Sequence, residues 1–338
     1  MTSMPMVRRR RGRLVLRNTA VGWSFLLPNF AGFAVLTLVP VALLFYYAFT
    51  SWNVFGGAEW TGLDNFRQLS HDRSFRTALT NTVYYTVFHI PLTLVASLGL
   101  ALLLNRKLRG VAFFRTVAFF PYITSIVALA QVWNMLFSPG YGPINQVLRA
   151  VGVDHPPGWT TSADWSMPAV IIVGTWREAG YYMLLFLAGL QTIPTQLYEA
   201  AKVDGASVWQ TFSRITMPLV KPALLVAVLF RILDTLRIFD LPFVLVGPNK
   251  ESVETLSILA YLEANQTRYG PAAAYATLLF IYVAVVAYVF VKLLGADVFG
   301  DNIQRKAKKG KNGRRRAKQA DPGAPVAGLT AGGGLGGE

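Results

Sequence analysis

Residues 272–294 have the sequence AAAYATLLFIYVAVVAYVFVKLL, which contains one charged side chain, Lys292. A hydrocarbon core about 30 Å thick needs roughly 20 mostly apolar residues in helical form to cross it. Five earlier windows also meet this requirement, namely Ala20–Phe49, Ala78–Leu104, Phe113–Phe137, Ser166–Gln191 and Pro222–Gly247. With Ala272–Leu294 as the sixth, the windows predict an all-α integral membrane protein with six transmembrane helices, called spans one to six below.

The composition excludes several classes of protein. Of 338 residues, 53% are hydrophobic and 14% are charged, whereas soluble domains average about 25% charged residues. The formal net charge is +15, but the basic residues form blocks beside apolar runs, which argues against nucleic acid as a partner. The chain has no cysteine, and its three histidines lack the spacing of a metal site. We therefore expect no metal site and no catalytic residues.

The positions of the basic blocks predict the orientation. Arginine and lysine are concentrated before the first span, between the second and third, and after the sixth, at Arg8–Arg17, Arg106–Arg115 and Arg305–Lys318. Because cytoplasmic flanks carry this excess, both termini are predicted to lie in the cytoplasm, with the protein in the plasma or inner membrane. The predicted organisation is a basic tail, a six-helix domain and a disordered basic, then Gly/Ala-rich tail, at 1–19, 20–296 and 297–338.

The cytoplasmic connection 192–221 is long enough to carry structure of its own. We expect a first short helix to begin at Pro194 and to end or kink at Gly205. A second short helix is predicted over Val208–Ile215, with Pro218 as its stop. Two short helices across the cytoplasmic face indicate a docking element.

This connection resembles a known motif. The run EAAKVDGA at 199–206, followed by ITMP at 215–218, resembles the EAA loop of ABC importer permeases, and every spacing holds. Met217 stands where that pattern has leucine. The sequences YGPIN at 141–145 and LAGLQTIP at 187–194 are similar to the carbohydrate branch, in particular to the maltose-type first permease. Val246-Gly247-Pro248 replaces the Gly-Gly-Pro of that branch.

The resemblance implies a type I ABC importer permease fold that forms half of a translocation pathway. The chain contains no phosphate-binding loop of the Gly-x-x-x-x-Gly-Lys type. The resemblance therefore implies that this chain binds no cofactor, and that two partner ATPase subunits bind ATP and Mg. The further implied partners are a second homologous permease, the lipid bilayer and an extracytoplasmic sugar-binding protein, which loops 50–77 and 138–165 would receive.

The residues that the resemblance assigns to ATPase coupling lie in the EAA loop, at Glu199, Ala200, Ala201, Asp204, Gly205 and Pro218. Small side chains there leave room for another surface. Glu199 and Asp204 would fix the helix or meet basic groups on the ATPase. Glu199 has a simpler alternative, as a first-turn acid that complements the helix dipole.

Charged residues also occur within the predicted spans, where each costs at least ~2.5–3.5 kcal/mol unless it faces protein or water. The candidate substrate-pathway residues are Arg177, Glu178, Tyr181, Tyr182, Asn134, Asp234, Arg237 and Asp240, with Asn81, Tyr84, Tyr85 and Gln131 as further candidates. With Arg231, the fifth-span charges alternate in sign at i, i+3 steps along one helix. They predict either ion pairs that lock spans four and five together, or a watered cavity that binds sugar hydroxyls. A lone span histidine such as His89 is expected to be a satisfied packing residue.

The sequence thus predicts the pore-forming permease subunit of an ATP-driven sugar importer, and not an enzyme. Two alternatives remain open at this point: a secondary transporter coupled through Asp234 or Asp240, and a membrane-embedded enzyme. Because the charges inside the membrane cancel, a disaccharide or oligosaccharide is favoured over a phosphorylated sugar. The sequence does not identify the sugar.

Overall fold

The computed structural model describes residues 10–52, 56–106, 109–235, 238–248 and 250–292. The predicted C-terminal tail, 297–338, and residues 1–9 lie outside these ranges. The described chain is helical, with one isolated bridge between Thr50 and Trp60. Its α-helices are α1 Arg10–Phe33, α2 Val39–Ala48, α3 Asp64–His71, α4 Arg73–Leu104, α5 Val111–Ile123, α6 Ile126–Leu136, α7 Pro143–Ala150, α8 Ala163–Gln191, α9 Thr195–Val203, α10 Val208–Thr211, α11 Met217–Thr235, α12 Asp240–Leu245, α13 Leu256–Asn265 and α14 Tyr269–Phe290.

Five continuous helices are long and apolar enough to cross a membrane, at Trp23–Ala48, Arg73–Leu104, Ala163–Gln191, Val208–Asp234 and Tyr269–Phe290. The third predicted span differs, because α5 and α6 meet at an angle of 99°. The bend follows a last turn that contains Pro121, and Thr124 and Ser125 at the bend have extended backbones. The third predicted span, Phe113–Phe137, is therefore two helices joined by a bend and not one continuous helix. With the bent pair counted as one span, the described residues have six.

The fifth span also departs from its predicted bounds. Its helix begins at Val208, well before the expected start at Pro222, and passes through Pro218. The π-helical turn Phe212–Thr216 precedes that proline, and Met217 N–H donates to the carbonyl of Phe212. The hydrogen-bond register thus changes before the missing donor of Pro218, so the proline does not stop the helix. The prediction of a short, separate second loop helix is wrong in this respect.

The first span differs from the others in its packing. Its most apolar stretch has no buried residue among those described. It meets the remaining helices near its end, where the ring of Phe45 packs edge-on against Phe280 with centroids 5.5 Å apart. By contrast, α4 and α8 share a continuous core to which α11 is added. Contacts divide the chain into units 1–288 and 289–338, and only residues 289–292 of the second are described.

Candidate functional site

A cavity of about 250 Å³ opens between α4, α5, α8, α11 and α12. Its charged lining residues come from three of these helices and are Arg177, Glu178, Arg231, Asp234 and Asp240. Tyr85 and Tyr122 add aromatic surface, and the remaining lining is apolar. Charged groups that the sequence distributes over 64 positions are therefore brought to a single opening.

Arg231 is the centre of the cluster and one of the largest fully buried side chains in the described structure, with 2% exposure. One terminal nitrogen lies 2.6 Å from Glu178 Oε2 on α8. The other donates to His89 Nδ1 on α4 over 2.7 Å. Because a guanidinium is always protonated and only donates, His89 accepts on Nδ1 and is neutral, with its proton on Nε2. Arg231 thus ties spans two, four and five together, and His89 is a satisfied packing residue as predicted.

Asp234 is oriented by two neighbours. The hydroxyl of Tyr182, which is fully buried, donates to Asp234 Oδ2 over 2.7 Å. A nitrogen of Arg231 lies 3.6 Å from the same oxygen. The Asp234 side chain nevertheless keeps 36% of its surface exposed at the cavity. It is therefore held in place from behind and open to a solute in front.

Arg177 and two tyrosines form a stack at the edge of the cavity. The guanidinium of Arg177 lies 5.3 Å from the centroid of the Tyr122 ring, and that ring stacks on Tyr181 with centroids 4.4 Å apart. Arg177 also donates to the carbonyl of Tyr122 over 3.4 Å and lies 3.7 Å from Glu178 Oε1. Tyr181 supports the ring from behind and is not itself among the lining residues.

The alternating ladder on one helix is only partly present. Arg231 and Asp234 pair at i, i+3, but the shortest contact of Arg231 is with Glu178 on another helix. Helix α11 ends at Thr235, and Asp240 begins the separate α12. The expectation of a single continuous helix is therefore wrong, and Arg237 lies outside the described residues. A span interrupted beside a polar cavity is a feature that transporters use at substrate sites.

Other candidates lie elsewhere. Asn134, on α6, is half-buried and is not among the residues that line the cavity. Asn81 donates to the carbonyls of Glu251 and Glu254, both over 2.8 Å, and so fixes a loop. Tyr122 was missed by the sequence analysis, since its position depends on the unpredicted bend of the third span.

The EAA loop forms its first helix as predicted, since α9 begins directly after Pro194. Gly205 has φ of 69°, and Ala206 N–H donates to the carbonyl of Ala201 while Gly205 N–H donates to that of Lys202. These two bonds and the left-handed glycine make a Schellman motif, which ends the helix. The local geometry thus accounts for glycine at this position.

The same loop exposes most of its motif. Ala201 is buried, whereas Glu199, Ala200, Asp204, Gly205 and Pro218 are exposed. Three apolar side chains beside them are also mostly uncovered: Val203 at 88%, Val208 at 89% and Trp209 at 72%. Exposed apolar side chains of this size, grouped in one loop, are typical of contact sites between proteins.

Within the described ranges, no group of three His, Asp or Glu side chains is placed to hold a metal ion.

Residues 90–306 match the profile of the family described as "Binding-protein-dependent transport system inner membrane component". The chain is 32% identical over 283 residues to the trehalose/maltose transport system permease protein MalF of Thermococcus litoralis, covering 83% of this chain and 96% of that protein. It is 34% identical over 282 residues to the lactose transport system permease protein LacF of Rhizobium radiobacter, covering 82% and 91%.

The fold is also similar to a chain in the crystal structure of a bacterial alginate ABC transporter in complex with an alginate pentasaccharide-bound periplasmic protein. The TM-score is 0.70 at 27% identity, and the match covers 82% of this chain and 94% of that chain. These similarities confirm the predicted resemblance and the all-α fold of a type I ABC importer permease.

Proposed function

Because this chain belongs to the family of binding-protein-dependent transport system inner membrane components, we propose that it is the permease subunit of an ATP-driven sugar importer. It is a multi-pass membrane protein, and its family supports a pore-forming and not an enzymatic role. The names of its relatives include the disaccharides trehalose, maltose and lactose. The observation that carries the proposal is the cavity at the interruption of the fifth span, which Asp234, Asp240 and Arg177 all line.

The cavity is proposed as this subunit's half of the solute pathway. Carboxylates accept hydrogen bonds from pairs of sugar hydroxyls, and Asp234 and Asp240 both face the opening. Arg177 supplies donors, and the Tyr122 ring supplies an apolar face. Glu178 and Tyr182 hold these groups in position. Tyr181, Asn134 and Arg237 stay predictions for the same pathway.

The charge of the cavity favours an uncharged sugar. Its described lining contains two guanidinium groups and three carboxylates, which leaves one net negative charge. Arg237, if it faced the cavity, would bring the sum to zero and not to a surplus of positive charge. A phosphorylated or uronic sugar would therefore meet a cavity of net negative charge on this subunit. We propose a neutral disaccharide or oligosaccharide as the solute.

The EAA loop is proposed to dock on a partner ATPase. The sequence contains no phosphate-binding loop, so ATP and Mg would be bound outside this chain. The exposed Val203, Val208 and Trp209 give the loop an apolar surface that a partner would cover. Glu199, Ala200, Asp204 and Gly205 lie exposed beside it, where small side chains permit close approach. Pro218 would act by shaping the start of the fifth span.

The remaining partners are a second permease and a sugar-binding protein, and they are assigned to the first span and to the external loops. The uncovered first span, from Trp23 to Ala48, is proposed to pack against a second, homologous permease. External loops 50–77 and 138–165 would receive the sugar-binding protein, with both termini in the cytoplasm. Closure of the ATPase dimer would draw the two EAA loops together. Spans four and five are joined by this loop, so they would tilt and switch the cavity between its two openings.

The proposal is tested by reconstituting the full transporter in vesicles. The complex contains this chain, the second permease, two ATPase subunits and the binding protein. Trehalose, maltose, lactose and a glucuronate-containing disaccharide are compared for uptake and for stimulation of ATP hydrolysis. We expect ATP-dependent uptake of a neutral sugar. Uptake that continues without nucleotide indicates a secondary transporter, and chemical conversion of the solute indicates an enzyme; either result overturns the proposal.

A further inference from the structure

We propose that the hydrogen bond between Tyr198 and Thr216 is the mechanical link through which the EAA loop moves the fifth span. This inference rests on the proposed function. The hydroxyl of Tyr198 on α9 lies 3.2 Å from Thr216 Oγ1, the last residue of the π-helical turn. Thr216 is buried with 4% exposure, and Tyr198 is half-buried. A docking helix is thus joined side chain to side chain to the start of a span.

Helix α9 has few other side-chain attachments to the permease. Of its nine residues, Ala201 alone is buried. Alanine offers a small apolar contact without direction, whereas the Tyr198 hydroxyl makes a directional bond. A force applied to α9 by a docked ATPase would therefore be transmitted in a defined direction at Tyr198.

The segment that receives this force is a weak part of the helix. In the π-turn Phe212–Thr216 the backbone bonds change register, since Met217 N–H donates to the carbonyl of Phe212. Pro218 and Pro222 then remove two further donors from the ladder. Helices bend at π-turns and prolines. Thr216 thus lies at the boundary of a segment, 212–222, that is predisposed to bend.

Beyond this segment the fifth span is held closely by the fourth. A Cβ placed on Gly189 of α8 would lie 2.6 Å from the Cβ of Ala223 on α11, so the two helices touch directly there. The contact at Ala223, one residue after Pro222, is therefore the point about which α11 would pivot on α8. Arg231 and Asp234 lie further along the same helix, about 22 Å and more from Thr216 at 1.5 Å per residue. Movement at Thr216 would tilt this helix and so shift Arg231 and Asp234 within the cavity that they line.

The test uses the reconstituted full transporter with Tyr198→Phe, Thr216→Val and the double variant. Each change removes a hydroxyl and keeps nearly the whole shape of the side chain. The readouts are co-purification of the ATPase subunits, ATP hydrolysis, and uptake of whichever of trehalose, maltose and lactose is transported. We expect normal co-purification and hydrolysis, but about three- to tenfold fewer sugar molecules transported per ATP, the size expected for one lost hydrogen bond.

Matched controls separate a coupling role from a structural one. Thr116→Val on α5 removes a hydroxyl that bonds within its own turn, to the carbonyl of Ala112, and Tyr261→Phe on α13 changes a tyrosine that is 41% exposed; both lie outside the proposed partner loops and the cavity lining. Both should leave the ratio of sugar to ATP unchanged. Thr216→Ser, which retains the hydroxyl, should restore the ratio. The double variant should behave like either single variant, because one shared bond is lost in all three.

Three results would overturn the link: variants that match the controls, additive losses in the double variant, or loss of the ATPase subunits on purification. Failure of the proposed function is distinguishable from these results. It would be evident in the wild-type complex, which would then show no ATP-dependent uptake. Wild-type uptake together with unchanged variants refutes the link alone.

Discussion

The cavity and the EAA loop differ in whether their side chains find partners within the chain. At the cavity, Arg231 on α11 is paired with Glu178 on α8 and His89 on α4, all within one chain. On the loop, Val203 and Val208 are almost fully exposed and contact little of the chain. The charged groups of the first region are paired within the chain, whereas the second region leaves apolar side chains exposed.

The difference has a physical origin. A charge in the bilayer interior is costly from the moment of insertion, so its partner has to come from the same chain or from a permanent neighbour. An exposed valine outside the bilayer, by contrast, does not need a partner within the chain for the protein to fold. Changes at the cavity should therefore act first on folding, and changes on the loop should act on assembly and transport.

The largest effect is expected for Arg231→Met. It leaves Glu178 without its main counter-charge and His89 without its donor, and breaking a buried pair costs about 3–5 kcal/mol. Much less folded, monodisperse permease should be recovered, with a lower unfolding temperature. The double variant Arg231→Met with Glu178→Gln should recover part of the loss. Lys202→Met on the exposed loop is the control, and equal stability of both methionine variants would contradict the assignment.

Next in size is Gly205→Val. Valine in the left-handed conformation at φ of 69° costs about 1–2 kcal/mol. A Cβ at this position meets nothing within 4 Å in this chain, so the permease should still fold while ATP-driven uptake falls about tenfold. Co-purification of the ATPase subunits and vesicle uptake measure the effect.

Gly205→Asn separates two reasons for the glycine. Asparagine tolerates the left-handed conformation, so it should rescue transport if only the turn matters. If the docked ATPase also needs a small residue there, asparagine should fail as valine does. Normal uptake with valine would remove the loop from the coupling scheme.

A smaller, affinity-specific effect is expected at the cavity for Asp240→Asn. A hydrogen bond to a charged group contributes about 1.5–3 kcal/mol, so the sugar concentration for half-maximal uptake should rise about tenfold or more. Asp240 is exposed at the start of α12, so the unfolding temperature should not change. Asp234→Asn should lower both affinity and stability, because it also weakens the Tyr182 and Arg231 contacts. If Asp240→Asn has no effect on uptake, this carboxylate is not part of the pathway.

The two regions also differ in how far the sequence predicts them. The EAA loop is contiguous, so the pattern along 194–206 predicts the start of α9 and its end at Gly205. Of the three small residues expected to meet another surface, Ala200 and Gly205 are exposed and Ala201 is buried. The cavity depends on contacts between helices, such as Arg231 with Glu178, that no local pattern contains. The sequence predicts the number of spans because lipid exposure follows composition, but it does not predict the bend in the third span or the bounds of the fifth.

The breaks within the spans were not predicted for the same reason. Thr124 and Ser125 are compatible with a helix by propensity, yet they lie at the bend, with α5 packed on α8 and α6 on α12. Pro218 was expected to stop a helix, but a π-turn before it absorbs the change in register. The placement of Tyr122 depends on that first bend, so its role could not be inferred from its position in the sequence.

The smallest effect is expected for Glu254. The charged neighbours of Glu254 are carboxylates, whereas Glu178 is paired with the guanidinium of Arg231. Burial raises the pKa of Glu254, and the negative charges of Glu251 and Asp72 raise it further. A carboxyl whose pKa is higher in the folded state than in the unfolded chain destabilises the fold once it is ionised. Stability should therefore fall as the pH rises from the unfolded value of about 4.5 through the raised folded pKa, and then level off.

Glu254→Gln should remove this penalty. At pH 7.5 the variant should have a slightly higher unfolding temperature. Its free energy of unfolding should rise by less than about 1 kcal/mol, because the side chain is only half-buried. The gain should shrink as the pH is lowered toward 4.5, where the wild-type carboxyl is protonated as well. Glu59→Gln, at an exposed position, is the control. A gain that is independent of pH would mean that packing, and not repulsion from Glu251 and Asp72, distinguishes Glu254 from the paired Glu178.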